Sequence, residues 1–470
     1  MIKRIGINKI KVELSKFQYQ ILTVLKFIFG LFLALLFAYI LGINLVIPIF
    51  LAILVLYLKV KKINVPNYRF LYIFFLFIIN FTLSYIIFQQ GWPFFYIPFS
   101  LVPMLFTILF GELELSLLLV FASSFTIACL ARNNLYLGLL LFANGILSCL
   151  LVINARKRMV IIRAGLIIGL IQALTLFSIE RFVLGDPLKY LILLINGIVC
   201  SIIAIGILPL FEYLFKTVTN ISLLELADFN HPLLQRMTIE APGTYHHSLI
   251  VGNLSDAAAR AIGANALLAR IGAYYHDVGK IEKAEYFSEN QNIKISKHDT
   301  LSPDMSKLVI MNHVKEGEEI AKKYKLNPRL IDFILQHHGN SLVYFFYRRA
   351  LENLDENQEI EEEGFRYPGP KPNSKETAIV LLADSVEAAT RALRDPAPPK
   401  IEEAVHKIIN NRFIDGQLDE CDLTLKDIEK ISSVFIRMLT AIYHSRISYP
   451  ELKSSPRYKH QSNNEKTTSL

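Results

Sequence analysis

The stretch ALLARIGAYYHDVGK, Ala266 to Lys280, spaces its apolar residues at i, i+3 and i+4 as far as Tyr275 and then turns into His276-Asp277-Val278-Gly279-Lys280. The spacing predicts an amphipathic helix, and Gly279 fits its end. Consecutive helical side chains point about 100° apart, so His276 and Asp277 serve one site best at a helix end or by bracketing two metal ions. A carboxylate has two oxygens and can bridge two ions, which an imidazole cannot do. His337-His338, followed at once by Gly339, repeats the device.

Outward from this string, His247, His313 and Asp384 complete an ordered series of imidazoles and carboxylates, in a chain whose first 230 residues contain no histidine. Neutral imidazole and ionised carboxylate are what first-row divalent metals take as ligands, so the series points to a dinuclear centre in the second half. Around it, residues 248–264, 266–275, 306–324, 328–338, 375–394, 401–410 and 425–443 carry helical apolar spacing with almost no strand alternation. An all-α domain over 241–451 is expected, with loops at 351–371 and 396–399. A linker helix over 216–240 should precede it, and a polar, disordered tail over 452–470 should follow.

The first half reads differently. A hydrophobic share of 53% over 470 residues is too apolar for an all-soluble protein. The excess lies in eight apolar stretches, 21–41, 43–58, 70–88, 95–110, 114–130, 135–153, 159–179 and 188–211, most of them near the ~20 residues of a spanning helix. The second and fourth are short, so seven spans is the alternative count. A transmembrane bundle over 21–215 is expected, after an N-terminal segment over 1–20.

Lys3, Arg4, Lys9, Lys11 and Lys16, the loop with Lys59, Lys61, Lys62 and Arg69, and Arg156-Lys157-Arg158 fall on one side of an eight-span bundle, together with Lys216. The positive-inside rule makes that side, and the domain that follows, cytoplasmic. Residues 1–219 hold 18 Lys+Arg against 6 Asp+Glu, and residues 220–470 hold 31 against 35, so the halves carry +12 and −4. The overall +8 is a topology signal and argues against a nucleic-acid polymer as partner; membrane lipid is the partner it implies. Residues 21–41 are too long for a signal-peptide core and lack a cleavage site. Cys129, Cys149, Cys200 and Cys421 have no framework spacing.

The HD pair with its flanking histidines and Asp384 resembles the HD superfamily of metal-dependent phosphohydrolases. The strings Ala241–Ser248 (APGTYHHS), Phe365–Lys371 (FRYPGPK), Leu382–Ala388 (LADSVEA), Asp415–Asp419 (DGQLD) and Arg446–Glu451 (RISYPE) narrow it. They are similar to the seven-transmembrane-receptor HD hydrolases of the PgpH type, which degrade cyclic di-AMP. The resemblance implies seven metal ligands: His247, His276, Asp277, His313, His337, His338 and Asp384. The remaining histidines, His231, His246, His298, His406, His444 and His460, are expected to be structural or exposed. Family members usually carry an extracytoplasmic domain after the first span. Here residues 42–44 join the first two stretches, so its absence is expected.

Such a centre suits phosphodiester hydrolysis. Two ions about 3.5–4 Å apart can bind a shared hydroxide, lower its pKa and clamp the phosphate for in-line attack. Mixed His and carboxylate ligation favours Mn or Fe over Mg. Asp277 and Lys280 are the candidate catalytic residues. Lys280, Tyr347, Arg391 and Arg394 are candidate substrate contacts, Lys280 through a phosphate oxygen and Tyr347 by stacking on a base. The expected reaction opens cyclic di-AMP to linear pApA; another cyclic dinucleotide, or a nucleotide receptor without turnover, are the alternatives. A homodimer is left open. A bacterial cell membrane is the expected location, with a plastid membrane as the alternative.

Overall fold

The structure is a computed structural model that describes residues 67–132, 134–180, 186–291, 297–352 and 360–443. The N-terminal segment, the first two apolar stretches with their junction at 42–44, and the polar tail lie outside the described residues. Among those described there is no strand, only an isolated bridge between Leu342 and Arg366.

The membrane half consists of α1 (Asn67–Gln89), α2 (Leu101–Phe110), α3 (Leu113–Leu130), α4 (Leu135–Val152), α5 (Arg158–Ile179) and α6 (Pro187–Phe215). Five of these are long and apolar enough to cross a membrane; α2, with the short 3₁₀ turn Phe94–Tyr96 before it, is not. The stretch 95–110 is thus a turn plus a ten-residue helix, because Pro98 and the bend at 97–100 interrupt it. Leu170, Ile202 and Leu210 are exposed on the bundle, where hydrocarbon rather than water suits them. Several buried hydroxyls bond within their own helices, as Thr107 to the Pro103 carbonyl and Thr126 to that of Ala122, so these ask nothing of a solvent that is absent.

The α5–α6 pair packs backbone to backbone. A Cβ on Gly165 would lie 2.4 Å from the Gly197 carbonyl oxygen, and one on Gly197 would lie 2.3 Å from that of Gly165. Small residues at such crossings let two membrane helices approach closely.

At its far end α6 passes directly into the second unit. Glu212, buried, accepts from the Thr219 amide (2.7 Å) and the Ser222 hydroxyl (2.8 Å), which fixes the turn into α7 (Asn220–Leu226). Arg158 pairs with Glu225 at 2.8 Å, and the Asn327 side chain donates to the Thr217 carbonyl at 2.8 Å. The helical domain then runs through α8 (Pro232–Glu240), α9 (Pro242–Ile262), α10 (Ala266–Tyr275), α11 (Pro303–Lys323), α12 (Pro328–Gln336), α13 (Tyr344–Glu352), α14 (Lys375–Arg391), α15 (Pro398–Ile414) and α16 (Leu425–Tyr443).

Val251, Leu254, Tyr275, Phe333, Leu381, Leu382 and Phe435 are buried in one core beneath them. Several boundaries differ from the spacing. α9 starts at Pro242, six residues early, because proline is favoured in the first helical turn. α15 likewise begins at Pro398, inside the expected loop. α14 stops at Arg391, so Arg394 lies in the bend beyond it and not on the Asp384 helix.

Gly197→Val should force α5 and α6 apart and lower the unfolding midpoint of the detergent-solubilised chain by several degrees, whereas Gly206→Val, with nothing within 4 Å of the added carbon, should not. Thermal unfolding followed by circular dichroism measures both.

Candidate metal centre

Five helices deliver the seven residues of the histidine and aspartate series to one buried place. His247 lies on α9, His276 and Asp277 follow the last turn of α10, His313 lies on α11, His337 and His338 follow α12, and Asp384 lies on α14. Asp277 is 1% exposed, and the polypeptide reaches it through a 3₁₀ turn that begins at Val278. That turn presses against α11: a Cβ on Gly279 would sit 1.8 Å from the His313 carbonyl oxygen, so the position has room only for glycine.

The two oxygens of Asp277 face two different groups. Oδ2 lies 3.3 Å from His276 Nε2 and 3.6 Å from His247 Nε2, and His247 Nε2 lies 3.0 Å from Asp384 Oδ1. Oδ1 lies 3.5 Å from both His313 Nε2 and His337 Nε2, which are 3.1 Å apart. His338 Nδ1 lies 3.7 Å from Asp384 Oδ2. The result is two overlapping sets, His247-His276-Asp277-Asp384 and Asp277-His313-His337-His338, each able to hold a metal ion.

The outer nitrogens are tied down. Nδ1 of His276 faces the Ala273 carbonyl at 2.6 Å, that of His313 faces the Ile310 carbonyl, that of His337 faces the Ile334 carbonyl at 2.8 Å, and that of His247 faces Glu387 Oε2 at 2.6 Å. A carbonyl or carboxylate partner places the proton on Nδ1 and turns the Nε2 lone pair inward, which is how metal-binding imidazoles are oriented. His276 Nε2 and both Asp277 oxygens are buried without a hydrogen bond, although Lys280 Nζ stands 2.7 Å from Oδ2. Buried polar atoms are rarely left in that state, and a divalent cation among them would satisfy all three, so the residues fit the metals that their types imply.

Charge is distributed accordingly. Burial, which by itself would raise the Asp277 pKa, is outweighed by His276 and Lys280, and the carboxyl lies well below its ordinary range. Burial pushes the His313 imidazole down to about 3, keeping it neutral. Lys280 is raised: burial opposes its charge, but Asp277 and Glu289 more than reverse the effect. Its ammonium bridges the two carboxylates, at 2.7 and 2.9 Å, instead of standing free at a helix end.

The other candidate contacts fare differently. Arg391 pairs with Glu387 at 3.4 Å, behind His247. Arg394 is exposed beyond α14 and makes no ion pair among the described residues. Tyr347 packs on Phe365 in a small cluster with Phe346 and Ala350, away from the imidazoles. The aromatic rings at the centre are those of Tyr367, stacked on His338 with ring centroids 4.3 Å apart, and Phe287, edge-on to His313 at 5.8 Å. Glu387, Glu289, Tyr367 and Arg412 complete the surroundings. Glu387 and Tyr367 stand inside the LADSVEA and FRYPGPK strings, while nothing in spacing marks Glu289 or Arg412. His231 caps α8, accepting from the Leu233 amide, His298 meets the Tyr286 carbonyl, and His246 and His406 are exposed. His444 and His460 lie outside the described residues.

A bundle of apolar spanning helices joined to an all-α domain with this His/Asp pattern defines a membrane protein that carries an HD domain. The model of the 7TM receptor with intracellular HD hydrolase matches residues 21–219, and that of the HD domain matches 244–389. The chain belongs to this family of 7TM receptors with an intracellular HD hydrolase.

The cyclic-di-AMP phosphodiesterase PgpH of Bacillus subtilis (strain 168) is 45% identical over 324 residues, 68% of this chain and 45% of that protein. That of Listeria monocytogenes serotype 1/2a (strain 10403S) is 40% identical over 367 residues, 76% of this chain and 51% of that protein. The crystal structure of the L. monocytogenes PgpH HD domain in complex with cyclic-di-AMP is 47% identical, covers 47% of this chain and 100% of its own, and has a TM-score of 0.44. The chain spans about half the length of the curated relatives it matches.

Gly279→Ala should cost about 2 kcal/mol of stability, since the methyl group must displace the α11 backbone beside His313. Gly364→Ala, facing only the Lys307 ammonium at 3.7 Å, should be neutral in the same unfolding assay.

Proposed function

We propose that this chain is a membrane-anchored, metal-dependent phosphodiesterase that opens cyclic di-AMP to linear pApA, with its HD domain on the cytoplasmic side. The observation that carries the reading is the geometry of Asp277, whose two oxygens address two separate sets of imidazoles. The substrate is suggested by the relatives, which are named for cyclic di-AMP, and by the HD domain of one of them, crystallised with it.

In this reading His247, His276, Asp277 and Asp384 hold one divalent ion, and Asp277, His313, His337 and His338 hold the other. Mn or Fe suits this mixed nitrogen and oxygen set better than Mg. Bound there, the ions supply a water of lowered pKa and neutralise charge on the phosphate.

The protein's own contribution is to hold the ligands ready. Backbone carbonyls and Glu387 engage Nδ1 of His247, His276, His313 and His337, which turns their Nε2 atoms inward for a metal. Burial keeps His313 neutral. Lys280, shared between Asp277 and Glu289, keeps the bridging carboxylate ionised and restrains Oδ2. Tyr367, lying flat on His338, shields that ring from water.

The test uses the full chain in detergent, loaded with Mn and given cyclic di-AMP, cyclic di-GMP and mononucleotides, with the products separated chromatographically. Metal-dependent formation of pApA from cyclic di-AMP is expected; binding without product, or no conversion of any dinucleotide by a folded, metal-loaded chain, sinks the proposal. Asp277→Ala should lose both ions by elemental analysis and all turnover, because it removes the shared ligand. Glu387→Gln should weaken metal affinity by about 10- to 100-fold, with activity recovered at higher Mn, since it replaces the charged acceptor behind His247 Nδ1 by a neutral one without removing a ligand.

A further inference from the structure

Arg412 stands beside this centre without an ion pair. It comes from α15, a helix that contributes no member of the His/Asp series, and its side chain reaches back to α14, where Nε donates to the Ser385 hydroxyl at 3.2 Å. Ser385 directly follows Asp384. Asp384, Asp415 and Tyr367 are the groups whose charge the guanidinium feels, yet among the described residues no carboxylate lies within 4.0 Å of it. The neighbouring carboxylates are already engaged. Asp415 is paired with Arg366 at 2.9 Å and accepts from Gln417 at 2.8 Å, and Asp384 faces His247 and His338.

Arg412 is half-buried, and a guanidinium partly withdrawn from water is normally paired with a carboxylate or other acceptor to offset the desolvation. Tyr367 shows the matching feature: it is buried, its ring is stacked on His338, and its hydroxyl makes no hydrogen bond among the described residues. The same ring meets His313 edge-on at 6.2 Å, so Tyr367 stands against two imidazoles of the centre, with Lys280 and Arg412 among the charges around it.

We propose that the terminal nitrogens of Arg412 and the hydroxyl of Tyr367 form an anion subsite at the edge of the His/Asp centre, which receives the nonbridging oxygens of a substrate phosphate. A planar guanidinium with two free donors matches a phosphate better than a point charge does. Ser385 engages Nε, and the two terminal nitrogens make no hydrogen bond among the described residues. The subsite rests on the reading of the centre as a phosphodiesterase, but it concerns phosphate recognition and not the metals.

The experiment measures the affinity of the Mn-loaded full chain for inorganic phosphate by calorimetry, and in parallel KM and kcat for cyclic di-AMP. Arg412→Gln is expected to weaken phosphate binding by about tenfold or more and to raise KM comparably, with metal content unchanged, and Arg412→Lys should recover part of the loss. Tyr367→Phe, which keeps the ring on His338, is expected to weaken phosphate binding by a smaller factor.

Unchanged phosphate affinity in both folded variants overturns the subsite, whatever their melting temperatures. Should Arg412→Gln fail to fold, Tyr367→Phe and Arg412→Lys decide the matter alone. If the unaltered chain binds phosphate through Arg412 but converts no dinucleotide, the subsite stands and the phosphodiesterase reading falls.

Discussion

One buried carboxylate organises the second half of this chain. Asp277 has lost nearly all contact with water, and an ionised group in that position is costly unless charge and dipoles surround it. Lys280 comes from its own turn, and imidazoles come from α9, α11 and the end of α12. Each approach depends on another: the close contact at Gly279 seats the turn against α11, and the stop of α10 at Tyr275 lets two consecutive side chains, His276 and Asp277, reach one place. Residues behind the imidazoles then hold them in register, with backbone carbonyls for three rings and Glu387 for a fourth.

The same turn is tied to the membrane half. Tyr275, immediately before His276, donates its hydroxyl to the Leu226 carbonyl at the end of α7, at 2.7 Å. α7 is in turn held by Glu212 of α6 through Thr219 and Ser222, and by Arg158 of α5 through Glu225. The last spanning helix and the His/Asp pair are therefore joined by a few direct contacts and not by a free linker. Buried partners such as Glu212 make that junction specific, because each leaves an unsatisfied polar group if the register shifts.

Much of this was legible in the residues themselves. The helical spacing of 266–275 and 425–443 matches the elements one for one, and the apolar stretches from 70 onward each correspond to a helix or, at 95–110, to a turn and a helix. Two adjacent pairs of the His/Asp series could be read locally: HD and HHG each end a helix, and a helix end is where adjacent side chains can serve one site. The substrate candidates were harder. Arg394 was placed on the Asp384 helix because its spacing continued, but α14 closes at Arg391. Tyr347 was chosen for its nearness in sequence to His338, yet the ring that reaches His338 belongs to Tyr367, twenty residues further on.

What the sequence determined by itself is therefore the periodic part: an apolar half built of spanning helices, an all-α second half, and a set of metal-type ligands, two pairs of them at helix ends. Periodicity reports which face of a helix is apolar, and short motifs report which side chains leave a helix together. The tertiary structure alone decided which oxygen of Asp277 faces which imidazoles, that Lys280 is shared with Glu289, that Glu387 stands behind His247, that Arg412 reaches Ser385 and that Tyr367 stacks on His338. Those relations join residues far apart in the chain, and they exist only once the packing of the helices has set the distances between them.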